Sequence, residues 1–463
     1  MLAMMTRKLP IIAIATAPGK AGVGVIRISG PNLSQIVKAL FQRVLEPRQA
    51  SLLTLRDGDG AAIDQLIAIY FSAPASFTGE DILELQCHGG PQLLELVMRR
   101  CLELGKDQGL VIAQPGEFSL RAYLNDKIDL AQAEAIADLI GAQSEAAVRG
   151  AARSLEGVFS SDINSLIEEI TQLRILVEST LDFPEEEIEF LENAQARERL
   201  SAVMQKLHAL REGAKQGKIL RDGIQLVLAG APNVGKSSLL NRLAGEEVAI
   251  VTPIPGTTRD RVKESITING VPIHIIDTAG LRDTSDLVEA KGIERSWEAI
   301  RTADLVIFLQ DSRSPGQEEN ASAMELKSQI LKSLPPGCPA LEVINKSDLL
   351  SDLSTYKGEK QILLISAKTG HGVEALKQKI LESVGWGGSQ EGAIVARRRH
   401  LDCLDRAKTH LEKSQQFAAD GNISLELFAE ELRLAQDQLG HITGKLLPDD
   451  LLGKIFSQFC IGK

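Results

Sequence analysis

The chain has 463 residues, 44% of them hydrophobic, enough for two or three domains with real cores. A net charge of −11 excludes a bulk polyanion binder, so any nucleic-acid contact must come from a local patch. Five cysteines (Cys87, Cys101, Cys338, Cys403, Cys460) without a C-x-x-C pair exclude a disulfide framework and a zinc site, and predict a reducing, cytoplasmic setting.

No apolar run approaches the roughly 18 residues of a membrane span, so no membrane is expected. Arg7-Lys8 ahead of Ile11 to Ala17 has the look of a signal peptide, but the run continues into a Gly-rich stretch ending at Gly30. It reads better as strand, loop and strand. Residues 1–122 then mix short β-rich runs (Leu66 to Phe71, Asp81 to Cys87) with the turn His88-Gly89-Gly90-Pro91 and a helix from Gln92 to Leu104. This predicts a small α+β domain.

From about 123 the texture is helical. Ala131 to Leu181 is rich in Ala, Glu, Leu and Ile, and Leu166, Ile170, Leu173 and Val177 are spaced for one helical face. Pro184 and Glu185-Glu186-Glu187 interrupt it; helix resumes through Leu210 and again from Ala396 to the end. The economical reading is one all-helical domain, 123–216 plus 386–463, interrupted by an inserted α/β domain at 217–385; two separate helical domains are the alternative. The basic run Arg397-Arg398-Arg399-His400 reads first as a solvated face, with an RNA contact second.

The insert opens with the apolar run Ile224 to Ala229, then Gly230-Ala231-Pro232-Asn233-Val234-Gly235-Lys236-Ser237, then Ser238-Leu239-Leu240 starting a helix. Strand, G-x-x-x-x-G-K-[ST] loop and helix together predict a nucleoside triphosphate. Glycines let backbone N–H groups turn onto phosphate, Lys236 neutralises β/γ charge and the Ser237 hydroxyl ligates Mg²⁺. Leu341 to Ile344 leads into Asn345-Lys346-Ser347-Asp348, where the Asp348 carboxylate suits guanine N1–H and its exocyclic amine. Lys346 would lie along the base, Asn345 would tie this loop to the phosphate loop, and Ser366-Ala367-Lys368 would offer an amide to guanine O6. Jointly these point to GTP rather than ATP.

Ile273 to Ile276 ends in Asp277-Thr278-Ala279-Gly280, with Asp277 reaching Mg²⁺ through water and the Gly280 amide touching the γ-phosphate. Upstream, Pro255-Gly256-Thr257-Thr258 is a glycine-hinged loop in which Thr258 is the second Mg²⁺ ligand. Signalling GTPases next carry a glutamine that orients water; here Leu281 stands there and can make no hydrogen bond. Asp283, Asp286 and Glu289, with Arg282 as a cation, are the groups within reach by sequence.

Several separate stretches resemble one family, the tRNA-modifying GTPase MnmE, also called TrmE. They are Gly24 to Gly30, Phe77-Thr78-Gly79-Glu80-Asp81, Pro115-Gly116-Glu117-Phe118, Asn125 to Glu134, the G motifs, and the ending Phe459-Cys460-Ile461-Gly462-Lys463. The resemblance covers essentially the whole length. It implies a homodimer joined through the N-terminal domains, and a flavin-dependent MnmG-type subunit in a heterotetramer. The implied reaction is modification at carbon 5 of the wobble uridine of certain tRNAs. The implied one-carbon carrier is 5-formyl-tetrahydrofolate or a related tetrahydrofolate, contacted by Arg27, Glu84, Lys127 and Lys463. K⁺ is implied on Asn233 with Thr252, Ile254 and Thr257, and Glu289 with Arg282 beside it takes over hydrolysis. The implied GTP-contacting set also takes in Val234, Ser238 and Pro253. Cys460 stands fourth from the end as in a prenylation box, but Gly462-Lys463 is a poor ending for it. The resemblance makes it a reaction residue and candidate nucleophile; a buried structural cysteine beside Phe456 and Phe459 is the even alternative. A ribosome-assembly or signalling GTPase used as a timed switch is the alternative function.

Overall fold

The computed structural model describes residues 9–182, 196–245, 264–277, 297–298, 300–313, 321–350, 362–388, 394–419, 425–445, 449–457, 459–460 and 462. It divides into two compact units, Met1–Ala137 with Ser154–Leu207 and Cys403–Lys463, and Asp138–Arg153 with His208–Asp402.

The first unit contains β1 (Ile11–Ile14), β2 (Ala21–Gly30), β3 (Ser51–Arg56), β4 (Ala62–Phe71), β5 (Asp81–Gly89) and β6 (Val111–Ile112), ordered β3-β4-β5-β2-β1-β6. Only β1 and β6 pair in parallel. In β4 the residues alternate, Asp64, Leu66 and Ala68 buried against exposed Gln65 and Ile67, the period of a sheet with one dry face. Helices Ser34–Phe41 and Pro91–Leu104 cover that face, adding Ile36, Val37, Leu94 and Val97 to a core with Ile26, Ile28, Leu83 and Leu85. Each such aliphatic contributes about 1.5–3 kcal/mol when fully buried. On the opposite face Ile11 and Ala13 pack with Phe118, which stands on a short helix, Glu117–Leu124, absent from the sequence expectation.

The helical run expected from Ala131 to Leu181 is three helices: Leu130–Gly141, Glu145–Leu155 and Val158–Asp182. Gly157 (φ +88) turns the chain into the third, a left-handed conformation that a residue with a Cβ resists. Leu166, Ile170, Leu173 and Val177 are all buried on it, and it packs along helix Leu425–Thr443. Helix Asp449–Phe456 follows, its Leu452, Ile455 and Phe456 packing with Leu120, Leu130 and Ala133.

The second unit is a sheet in the order β12-β11-β10-β7-β9-β8, comprising β7 (Ile224–Ala229), β8 (Glu264–Ile268), β9 (Val271–Asp277), β10 (Leu305–Asp311), β11 (Ala340–Asn345) and β12 (Ile362–Leu364). All pairs are parallel except the hairpin β8-β9, whose two-residue turn Asn269-Gly270 has both φ positive. Alternate residues of β7 and β10 feed two cores, one with Leu226, Leu228, Leu305 and Ile307, the other with Val227, Ala229, Val306 and Phe308. Burial on both faces explains why these strands are unbroken apolar runs. The chain order reverses between β7 and β10, so the loops after β7, β10 and β11 meet at the carboxyl edge, where open α/β sheets bind ligands.

The mixed fold class expected from sequence holds: an N-terminal α+β sheet, helices, and a P-loop α/β sheet. One local reading changes. Arg397 is not a free surface charge: its guanidinium pairs with buried Asp138 at 2.7 Å, beside Arg221 on the same carboxylate at 2.8 Å. His400 is buried and its Nδ1 accepts the Arg397 N–H at 3.1 Å. The run that looked like a solvated face is largely consumed in packing, leaving Arg398 as its exposed member.

Candidate active site

The phosphate loop joins β7 to helix Lys236–Ala244. Gly235 has φ +100, and a Cβ there would stand 2.3 Å from Asn345 Nδ2; at Gly230 it would stand 2.4 Å from the Leu309 carbonyl. The loop is therefore pressed against β10 and the base loop, and only glycine fits. Lys236 Nζ donates to the carbonyls of Gly230 (2.9 Å) and Ala231 (3.3 Å), which holds the ammonium over its own loop. The cradle suits a polyphosphate, with the helix N-terminus behind it. Val234, Ser237 and Ser238 lie on the same loop and first helical turn.

Asn345 binds both neighbours of the base loop. Its Nδ2 donates to the Val234 carbonyl at 2.8 Å, and its Oδ1 accepts the Ala367 N–H at 2.9 Å. Asp348 Oδ1 accepts the Ser366 hydroxyl at 2.6 Å, and Ser366 Oγ also accepts the Thr369 N–H at 3.1 Å. A carboxylate steadied on one oxygen is suited to a base that offers two N–H donors. Lys346 Nζ reaches the Asn233 carbonyl and Asp311 Oδ2, each at 2.7 Å. The structure thus brings Asn233, Val234, Gly235, Asn345, Lys346, Asp348, Ser366 and Ala367 together, although more than a hundred residues separate the two motifs.

Two contributors went unread in the sequence. Asp311 ends β10, and the Arg313 guanidinium foremost, then Lys346, hold its carboxyl well below the usual carboxylate range. A strand ending in an acid was its only signal. Arg242 on helix Lys236–Ala244 donates to the carbonyls of Lys368 (2.8 Å) and Ala367 (3.3 Å), fixing the loop expected near guanine O6; nothing in the sequence marks it.

Of the remaining expected nucleotide contacts, Asp277 is the last residue of β9, opposite Leu228 of β7, with its carboxylate outside the described part. Thr252, Pro253, Ile254, Pro255, Gly256, Thr257, Thr258, Thr278, Ala279, Gly280, Leu281, Arg282, Asp283, Asp286 and Glu289 lie outside the described residues, as does Lys463.

A second cluster sits in the first unit. Arg27 on β2 and Glu84 on β5 are register partners, and their side chains pair at 2.8 Å, about a fifth exposed. The Arg27 guanidinium carbon lies 5.9 Å from the ring centroids of both Phe77 and Phe118. Behind it, buried Arg121 donates to Glu80 (3.0 Å), Glu117 (2.8 Å) and the Leu9 carbonyl (2.9 Å). Lys127 Nζ donates to the Pro74 carbonyl at 3.1 Å, and its stem runs beside Gly79. A partly exposed cation–carboxylate pair flanked by rings fits a flat, charged heterocycle. Cys460 is exposed, so the buried structural reading fails: Phe456 and Phe459 fill the core instead, while the Cys460 carbonyl accepts the Gly116 N–H at 3.2 Å. That bond sets the tail against Gly116, at the start of the helix carrying Phe118.

Among the described residues no helix is long and apolar enough to cross a membrane. Family comparison matches residues 10–127 to "GTP-binding protein TrmE N-terminus" and residues 130–460 to "MnmE helical domain". Similar curated proteins include the tRNA modification GTPase MnmE of Polynucleobacter asymbioticus, 77% identical over 99% of this chain and 100% of the relative. Those of Bordetella parapertussis (55%; 99% and 100%) and Ralstonia nicotianae (54%; 99% and 97%) carry the same name.

Proposed function

The chain belongs to the MnmE (TrmE) family, and from that premise we propose that it is a tRNA modification GTPase, hydrolysing GTP to GDP and phosphate in the service of tRNA modification. The observation that carries the guanine reading is the double anchoring of Asn345, on Val234 and Ala367, beside the steadied Asp348. Lys236 and the loop amides hold phosphate, Asp348 takes the base, and Ser237 with Thr258 ligates magnesium. When bound, that ion would neutralise charge on the β- and γ-phosphates. With Leu281 unable to orient water, Glu289 takes that role, with Arg282 beside it. Asn233, Thr252, Ile254 and Thr257 would hold K⁺, which would supply positive charge against the developing phosphate charge, as an arginine finger does elsewhere.

In the finer reading, modification falls on carbon 5 of the wobble uridine, with a flavin-dependent partner and a formyl-tetrahydrofolate-type carrier. The Arg27–Glu84 pair between Phe77 and Phe118 supports that carrier, with Lys127 and Lys463 for its glutamyl carboxylate and Cys460 nearby. The protein acts as a cytoplasmic homodimer with functional domains at 1–122, 123–216 plus 386–463, and 217–385. GTP turnover is expected to exceed ATP turnover by orders of magnitude and to rise in K⁺ over Na⁺ at high protein concentration; equal rates in the two salts overturn the cation role. Asp348→Asn is expected to lower GTP affinity by about 10²-fold or more and to admit xanthosine triphosphate. Loss of wobble-uridine modification on deleting the gene, read by nucleoside mass spectrometry, tests the whole assignment.

A further inference from the structure

We propose that Asp311 is a positioning residue for nucleotide binding, holding the Lys346 ammonium against the Asn233 carbonyl and so locking the base loop to the phosphate loop; this rests on the guanine-nucleotide reading above. Asp311 ends the central strand β10, in register with Asn345 on one side, while Phe308 of the same strand pairs with Ala229, the last residue of β7, on the other. It stands level with the end of β11 and three residues beyond the level of the end of β7. Lys346 has three N–H donors. Two of them are committed at 2.7 Å, one to Asp311 Oδ2 and one to the Asn233 carbonyl.

Both ends of that lysine bridge are conformationally unusual. Lys346 and Asn233 each have φ +65, a left-handed backbone that residues with a Cβ adopt only when their surroundings over-determine it. The residues after β10 supply that constraint. Ser312 Oγ donates to the Lys346 carbonyl at 2.8 Å, and the Ser312 N–H donates to the Asn345 carbonyl at 3.0 Å. Arg313 donates to Asp311 from its backbone N–H (3.0 Å), Nε (3.1 Å) and Nη2 (2.7 Å), which also ties the carboxylate to its own turn. Asp311 and Ser312 thus form a bracket around Lys346, and Lys346 passes its position on to Asn233. A base-recognition lysine left unbracketed is free to swing, and the phosphate loop loses a tie at Asn233, whose backbone holds φ +65.

The test is a double-mutant cycle in the full-length protein, reading release of fluorescent GDP by stopped flow. Asp311→Ala is expected to speed release by about tenfold or more, the loss of a charge-assisted hydrogen bond. Lys346→Ala is expected to speed it at least as much. In the Lys346→Ala background the Asp311 substitution is expected to add less than about twofold. Effects that simply multiply, or no change in Asp311→Ala, overturn the proposal. Arg313→Ala, which removes an exposed side chain without touching Lys346, is expected to speed release by less than about threefold. An effect as large as that of Asp311→Ala means the carboxylate serves only to anchor its own turn, and also overturns the proposal. Where Asp311→Ala does not fold by circular dichroism, Asp311→Asn replaces it in the same cycle. Failure of the guanine reading looks different: the unsubstituted protein then retains ADP as long as GDP, and the Asp311–Lys346 coupling is read on either.

Discussion

The two candidate sites each centre on an ion pair that joins neighbouring strands, yet they are built oppositely. Asp311 and Lys346 pair where β10 and β11 end, and every partner of the lysine is fixed in turn by backbone. Arg27 and Glu84 pair mid-strand on β2 and β5, held by each other, by two rings and by the strand register. The first arrangement is a set of loops locked into one shape before a ligand arrives. The second is a sheet face whose charges are satisfied mutually and about a fifth exposed to solvent. Preorganisation of the first kind suits transition-state chemistry, in which small displacements matter; the second suits holding a planar cofactor.

The sharpest way to break the comparison is to spoil the locked site without removing a functional group. Gly235→Ala adds one methyl at φ +100, 2.3 Å from Asn345 Nδ2. Neither backbone nor amide can give way without disturbing the contacts to Val234 and Ala367. Nucleotide binding, measured by isothermal titration, is expected to fall by about 10²-fold or more, with far-ultraviolet circular dichroism unchanged. A loss below about threefold means that the loops are not preformed.

This difference also governs what the sequence disclosed. The phosphate loop and Asn345-Lys346-Ser347-Asp348 were legible because turn chemistry and ligand chemistry fall on the same few contiguous residues. The buried face of Val158–Asp182 was legible from its spacing. The breaks around it were not, since Ala142 to Ser144 and Gly157 interrupt a composition that stays helix-forming. The Arg27–Glu84 pair spans 57 positions and exists only through antiparallel register, so no local pattern announces it. Asp311 was hidden for a related reason: an acid closing an apolar strand is ordinary until the neighbouring strand brings a lysine to it. Arg397 failed as a surface residue because the buried carboxylate it meets, Asp138, lies 259 residues away.

A smaller effect is expected from opening the second site. Arg27→Ala removes the cation between Phe77 and Phe118 and leaves Glu84 unpaired on the sheet face. If the site holds the proposed folate carrier, tRNA modification is expected to fall by about tenfold when that carrier is limiting, the loss of one charge-assisted contact. GTP turnover, carried by the other unit, serves as the internal reference. If turnover falls in parallel with modification, the two sites do not act as separate sites, and the contrast between them collapses.

The smallest expected effect concerns thiols and leaves folding untouched. Burial, with a minor contribution from Asp64, pushes the Cys87 thiol up to about 12, and burial raises Cys101 further. Both are therefore protonated at any pH the fold meets, and both stand in the core beneath the sheet. Cys460 is exposed on the tail beside Gly116. Brief treatment with iodoacetamide at pH 8, followed by peptide mass spectrometry, is expected to alkylate Cys460 well before Cys87 and Cys101, which react only after denaturation. Since thiolate is the reacting form and burial suppresses both ionisation and access, early labelling of Cys87 would mean that the sheet opens on the labelling timescale. The second site then lacks the rigid floor that its mid-strand ion pair requires.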